Sequence, residues 1–173
     1  MTTIAEARTT STAQPAAFFA RWADTATWPE WNTDTEWVRL DGPFTAGATG
    51  VLKPRGGPRV PFTVDTLVPD REFTDVSRLL GARLTFRHHV ERTTQGGTTV
   101  RVEVTLTGPL ARLWYAALGK GIRASLQDDL DRLAAAAEAD TAAGAAAGPT
   151  GPDAPRTRSA QEVQEVQEAS AAR

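Results

Sequence analysis

The fold is decided by residues 110–138, which read LARLWYAALGKGIRASLQDDLDRLAAAAE. At 100° per residue, most of the apolar side chains share one face of a helix and charged residues lie opposite. This apolar face comprises Leu118, Ile122, Leu126, Leu130, Leu133 and Ala137. The first turns carry extra apolar surface, because Leu110, Leu113, Trp114 and Ala117 lie on what later becomes the polar side. The sequence therefore predicts one long helix that needs a large apolar partner.

The chain before this helix consists of short runs with strand-like composition, separated by turn residues. Residues 3–9 predict an edge strand, and two short helices are predicted over 15–22 and 25–31. Six further strands are predicted over 35–41, 50–53, 60–68, 72–80, 83–92 and 98–107, with glycine and proline breaks between them. The surface available to a lone helix after such a meander is the concave face of the sheet. We therefore predict an α+β domain, in which a curved antiparallel sheet of six to seven strands wraps around a long C-terminal helix.

The composition divides the chain at residue 138. Residues 139–173 contain Val163 and Val166 as their only large aliphatic residues and no aromatic residue, which is too little apolar area to offset chain entropy. We predict a folded domain over 1–138 and a disordered Ala/Gly/Pro/Gln/Glu tail over 139–173. The acidic and basic residues of 1–138 balance. A neutral domain exerts no long-range attraction on a phosphate backbone, so nucleic acid is not a predicted partner.

Several site classes and locations are disfavoured by what the sequence lacks. The 173 residues include no cysteine and two histidines, so no disulfide and no metal-ligand cluster is expected. Neither a phosphate-binding glycine loop nor a nucleophile elbow is present, and no cofactor is predicted. No stretch is apolar enough for a membrane span or a signal region, which makes the cytoplasm the expected location.

The strand pattern predicts that the two histidines lie on opposite faces of the sheet. The apolar residues of strands 83–92 and 98–107 fall on even numbers, which points His88 inward and His89 outward. A three-residue loop over 95–97 would place Glu91 opposite Arg101 and His89 opposite Glu103. In the preceding hairpin, our preferred register places Asp75 opposite His88, within hydrogen-bond reach. The competing phase would bury residues 76 and 80 and send Asp75 outward.

A buried Asp75–His88 pair has two interpretations. It is either a satisfied polar pair in the core, or a site in which Asp75 orients His88 as a general base. If the protein is an enzyme, this is cofactor-free acid–base chemistry.

Five tryptophans, at positions 22, 28, 31, 37 and 114, precede or open the last helix. The runs 22–24 (WAD), 28–31 (WPEW), 41–44 (DGPF), 73–75 (FTD), 81–88 (GARLTFRH) and 108–110 (GPL) together resemble the polyketide cyclase/dehydrase branch of the START-like (SRPBCC) superfamily. The resemblance covers residues 3 to about 138. It implies a helix-grip fold with a hydrophobic cavity between the sheet and the C-terminal helix. Its members include aromatase/cyclases and lipid carriers, so it leaves the activity open. The sequence lacks the inward arginines and tyrosines expected around a poly-β-keto chain.

The sequence is therefore consistent with three hypotheses about function. The first is a binding protein for a small hydrophobic or aromatic molecule, polyketide- or lipid-like. Its pocket would be lined by Trp28, Trp31, Phe62, Phe86, His88, Val104, Trp114 and Leu118. The second is a cofactor-independent cyclase or dehydratase with His88 as base and Asp75 as its orienter. The third is a protein-interaction module or homodimer that uses the extra apolar surface around Leu110, Leu113 and Ala117.

Overall fold

A computed structural model describes residues 1–146. The elements in chain order are strand β1 (Thr2–Ser11), helices α1 (Pro15–Ala23) and α2 (Trp28–Trp31) with a 3₁₀ turn between them, strands β2 (Thr35–Leu40), β3 (Thr49–Pro54), β4 (Val60–Val68), β5 (Glu72–Leu79), β6 (Ala82–Arg92) and β7 (Thr98–Thr107), and helix α3 (Ala111–Ala146). The predicted α+β helix-grip architecture is confirmed. Within residues 1–146, no helix is both long and apolar enough to cross a membrane.

The seven strands form one antiparallel sheet in the order β1-β7-β6-β5-β4-β3-β2. Because β1 and β2 lie at opposite edges, the α1–α2 connection must cross from one edge of the sheet to the other. Irregular pairing near Ala5, Trp37 and Thr66 interrupts three of the ladders, and such bulges increase strand bending and twist. The result is a concave sheet whose inner face is covered by the helices.

Helix α3 extends beyond its predicted end. It continues from Glu138 to Ala146, so residues 139–146, which the sequence assigned to the tail, are helical. Glu138 accepts hydrogen bonds of 2.8 Å from the Ser11 hydroxyl and the Thr12 backbone N–H. Arg21 of α1 bridges Asp140 at 2.6 Å and so fastens the extension. The rest of the predicted tail, 147–173, lies outside the described residues.

The register predicted for β6–β7 was wrong by two residues, although the faces were right. His89 pairs with Arg101 and Glu91 with Thr99, so the two predicted charge pairs do not form. The N–H of Thr93 bonds to the carbonyl of Gly97, and Gly96 has a φ of 88°. The three-residue loop is therefore 94–96 rather than 95–97. The alternation that buries His88 and turns His89 outward is unaffected by a two-residue shift.

The β5–β6 register was also wrong by two residues. Leu79 pairs with Ala82 across a two-residue turn, Leu80-Gly81, in which Gly81 takes a φ of 63°. This tight turn places Asp75 opposite Phe86, and His88 opposite Phe73. The preferred face was correct, since Asp75 is buried while Leu80 is 81% exposed.

Candidate functional site

A cavity of about 450 Å³ lies between the concave sheet and helix α3. The apolar side chains in the two halves of α3 differ in how deeply they are buried. All five apolar residues of this face from Leu118 to Leu133 line the cavity, but Leu130 and Leu133 are almost fully buried, whereas Leu118, Ile122 and Leu126 are only partly buried. The volume is within the range of about 300–1,000 Å³ that is usual for small-molecule sites.

The cavity opens between α3 and the β3–β4 turn. Its solvent-exposed lining residues include Arg55, Gly56 and Pro58 on the turn and Ala117 and Gly121 on the helix. A ligand would therefore enter beside the first half of α3.

Six of the eight side chains predicted for the pocket line it. These are Trp28, Trp31, Phe86, His88, Trp114 and Leu118. Phe62 and Val104 do not. Phe62 packs behind Trp28, with the ring centroids 6.0 Å apart, and Val104 is fully covered by its neighbours. Strand alternation identifies inward-facing residues, but it does not show which of them the cavity leaves uncovered.

Trp28 and Trp31 form one wall of the cavity as a packed pair. Their ring centroids are 5.6 Å apart, and the Trp28 indole N–H donates to the carbonyl of Trp22 at 3.0 Å. The Trp31 indole N–H is buried without a hydrogen-bond partner among residues 1–146. Trp114 closes another side, and its indole donates to the Leu80 carbonyl at 2.9 Å. This bond ties the start of α3 to the β5–β6 turn.

His88 is held within an aromatic cluster. Its ring stacks on Phe73 at 4.9 Å and lies 5.1 Å from Trp22, and its Nδ1 is 3.1 Å from the Phe73 carbonyl oxygen. A carbonyl accepts only from a protonated nitrogen, so this contact assigns the proton to Nδ1 and leaves Nε2 as the acceptor. Burial lowers the pKa of His88 to about 4, despite the opposing effect of this hydrogen bond. The imidazole is neutral at neutral pH.

Asp75 lines the same cavity but does not orient His88. It is 7% exposed, and the hydrogen bond that orients His88 goes to the backbone of Phe73 instead. Burial raises the pKa of Asp75 to about 7, opposed only by the hydrogen bond from its own backbone N–H. Because no charged group contributes to this shift, the carboxyl behaves as an isolated buried acid.

A second buried carboxylate, Asp129, lies on the apolar side of α3 and was not predicted. Its Oδ1 lies 3.1 Å from Arg132 and 3.4 Å from the backbone N–H of Thr33. Desolvation raises its pKa, and the contacts with Thr33 and Arg132 oppose the shift. Its position three residues after Leu126 and four before Leu133 was the signal that could have identified it.

The extra apolar surface at the start of α3 serves more than one purpose. Leu113 is 62% exposed and Leu110 is 37% exposed, whereas Ala117 lies at the cavity mouth. Leu110 also packs against the β5–β6 turn. The contact is close: a Cβ added at Gly81 would lie 2.8 Å from the Leu110 Cγ.

The model of one protein family, described as "Polyketide cyclase / dehydrase and lipid transport", matches residues 1–138. The chain belongs to this family. The resemblance to the START-like superfamily is thereby confirmed, and a hydrophobic-ligand or cyclase function is supported in general terms. No curated protein matches the chain significantly.

Solved structures with the same fold have low sequence identity to this family member. The hypothetical protein jhp0584 of Helicobacter pylori is 12% identical, with a TM-score of 0.60 over 77% of this chain and 88% of its own. The di-domain ARO/CYC StfQ from the steffimycin biosynthetic pathway is 16% identical, with a TM-score of 0.59 over 80% of this chain and 46% of its own. Ara h 8.0201 is 14% identical, with a TM-score of 0.53 over 80% and 97%. At these identities the likeness concerns the fold alone.

Proposed function

We propose that this protein binds a small hydrophobic or aromatic molecule in the cavity beneath helix α3. The proposal rests on the volume of this cavity together with the side chains that line it. A space of about 450 Å³ is walled mainly by tryptophan, phenylalanine and aliphatic side chains, with a few polar groups among them. Apolar walls supply affinity, while a small number of placed polar groups select orientation. Asp75 and His88 are two of the buried polar side chains in the lining, which also include Thr35, Ser77 and Asp129.

A cyclase or dehydratase with His88 as its base has less physical support. A general base works best when its pKa is near the working pH, and burial has lowered the pKa of His88 to about 4. The orienting group proposed for it, Asp75, pairs with Phe86 instead. His88 is therefore better suited to accept a hydrogen bond from a ligand through Nε2 than to remove a proton.

The cytoplasmic location and a homodimer through Leu110 and Leu113 stay predictions.

Filling the cavity tests the binding function. Leu118→Trp places a large ring in the cavity, whereas Leu113→Trp adds the same ring to the exposed side of the same helix. We expect the neutral fluorescent probe N-phenyl-1-naphthylamine to bind wild-type protein and Leu113→Trp alike. Its affinity for Leu118→Trp should fall by about tenfold or more, because the ligand must then displace packed side chains.

Titration of probe fluorescence provides the measurement, and circular dichroism checks that both variants are folded. The proposal is wrong if wild-type protein does not bind the probe, or if both tryptophan variants bind it equally well.

A further inference from the structure

Asp75 is unusual among the polar groups of the cavity because nothing in the described protein neutralises it. Its side chain is more than nine-tenths buried, it faces the cavity, and no described side chain donates a hydrogen bond to it. An ionised carboxyl in such a place is costly unless a cation or several hydrogen bonds compensate for the lost water. Neither a cation nor a set of side-chain donors is found beside Asp75 among residues 1–146.

The other ionisable groups around the cavity do not fill this role. They are Asp34, Arg55, His88 and Asp129. Arg55 is an exposed residue at the mouth whose Nε donates to the Thr33 carbonyl at 2.8 Å, and it does not contribute to the pKa shift of Asp75. His88 is neutral, and Asp129 already faces Arg132 at 3.1 Å. Apart from Arg55, the ionisable groups that the cavity presents to a ligand are carboxylates and a neutral imidazole.

The immediate surroundings of Asp75 are aromatic. Phe86 is directly opposite it on β6, and Phe73 lies two residues earlier on the same face of β5. Trp28 is 6.3 Å from Phe73 between ring centroids, so indole and phenyl rings line the same part of the cavity. A carboxylate bordered by aromatic rings is the combination that holds an organic ammonium ion, through an ion pair and cation–π attraction.

We propose that the ligand of this cavity is an apolar or aromatic amine whose ammonium group pairs with Asp75. The inference rests on the proposed binding function and names its ligand class. The ligand supplies a cation where residues 1–146 place none beside Asp75, while its hydrocarbon part contacts the tryptophan and phenylalanine walls. The same carboxyl disfavours anionic ligands such as fatty acids, because a second negative charge would be buried beside it.

Three probes of matched shape separate charge from apolar contact. 2-(2-Naphthyl)ethylamine carries an ammonium group, 2-(2-naphthyl)ethanol a hydroxyl, and 2-naphthylacetate a carboxylate. We expect isothermal titration calorimetry above about pH 7 to rank them amine, alcohol, carboxylate. Charged hydrogen bonds of this kind favour the amine over the alcohol by about tenfold to a hundredfold.

The isosteric variant Asp75→Asn should remove the preference for the amine, so that the amine and the alcohol bind with similar affinity. Asp65→Asn is the matched control, because Asp65 is the exposed neighbour of Val64, the residue that pairs with Asp75 on β4. Between about pH 8 and about pH 5.5 the amine affinity should fall by about tenfold or more, since the carboxyl is protonated below about pH 7 whereas an alkylammonium stays charged. The alcohol affinity should stay flat.

The outcomes distinguish the two proposals. If none of the three probes binds, the cavity-binding function itself fails. If the alcohol binds as tightly as the amine in wild-type protein, or if Asp129→Asn rather than Asp75→Asn removes the preference, the ammonium inference fails and the binding function stands. A preference for the carboxylate probe would also overturn it.

Discussion

Replacing Asp75 or His88 should change how stability depends on pH, in opposite directions. The pKa of Asp75 is raised in the folded protein, so the folded state holds a proton that the unfolded state has lost, and stability falls as pH rises towards about 7. The pKa of His88 is lowered, so the unfolded state takes up a proton that the folded state does not, and stability falls as pH drops from 6.5 towards about 4. In wild-type protein the two effects largely cancel over this interval.

The magnitudes follow from the shifts. Each pKa unit corresponds to about 1.4 kcal/mol of unfolding free energy. For Asp75, a change from 3.8 to about 7 gives about 3 kcal/mol between pH 4 and pH 7. For His88, a change from 6.5 to about 4 gives about 3 kcal/mol of opposite sign. Relative to wild-type protein, Asp75→Asn should therefore gain about 3 kcal/mol as pH rises over this range, while His88→Gln should lose about 3 kcal/mol.

Urea denaturation followed by tryptophan fluorescence measures both effects. Trp22, Trp28 and Trp31 are buried in the folded protein, so their emission reports unfolding. Comparing each variant with wild-type protein at the same pH removes the contributions of the other titrating groups. Asp65→Asn, on the outer face, should run parallel to wild-type protein.

A stability profile of Asp75→Asn that parallels the wild-type profile would refute the reasoning. It would mean that the carboxyl ionises with an ordinary pKa, as it would if water in the cavity solvated it fully. The same result for His88→Gln would mean that the imidazole is protonated without cost in its aromatic cluster. Either finding would remove the electrostatic account of the site while leaving the cavity intact.

Three further substitutions test packing and hydrogen bonding in the fold, each by urea denaturation. Gly50→Ala should destabilise the fold by about 1–3 kcal/mol, because the added Cβ would lie 2.5 Å from the Arg39 carbonyl oxygen and 2.6 Å from the Phe62 ring. In Gly121→Ala the added Cβ meets no atom within 4 Å, so this substitution should instead stabilise helix α3 by about 1 kcal/mol. Equal effects of the two substitutions on the free energy of unfolding would contradict this account. Trp114→Phe should cost about 1 kcal/mol through the lost hydrogen bond to the β5–β6 turn, and an unchanged urea midpoint would show that this bond does not stabilise the fold.

The architecture could be predicted from the sequence because each level of pattern indicated the same arrangement. Alternation predicted which strand residues face inward, and helical periodicity predicted the face of α3 that packs on the sheet. The registers were wrong because alternation is unchanged by a two-residue shift, so it decides the face and not the partner. Turn geometry at Gly81 and Gly96 decides the partner, and several glycine-containing loops suit the same residues.

The same limit explains what was missed in the site. The hypothesis of an Asp75–His88 pair depended on register and failed with it, whereas the inward direction of both side chains depended on alternation alone. His88 is oriented by the hydrogen bond that its Nδ1 donates to the backbone carbonyl of Phe73, and residue identity gives no information on a backbone acceptor. Asp129 was missed because one acid on an apolar face does not change the helical pattern around it.

The cavity itself follows from how α3 is held at its two ends. At the start, Trp114 bonds to the Leu80 carbonyl, and at the other end Glu138 and Asp140 bond to β1, the segment after it and α1. Between these points the apolar face is continuous in sequence, but Leu118, Ile122 and Leu126 in the first half are only partly buried, whereas Leu130 and Leu133 in the second half are almost fully buried. The first half of α3 therefore covers the cavity, and its side chains border empty space. Removing or enlarging such a side chain changes the cavity more than the packed core, which is why Leu118→Trp can separate ligand binding from folding.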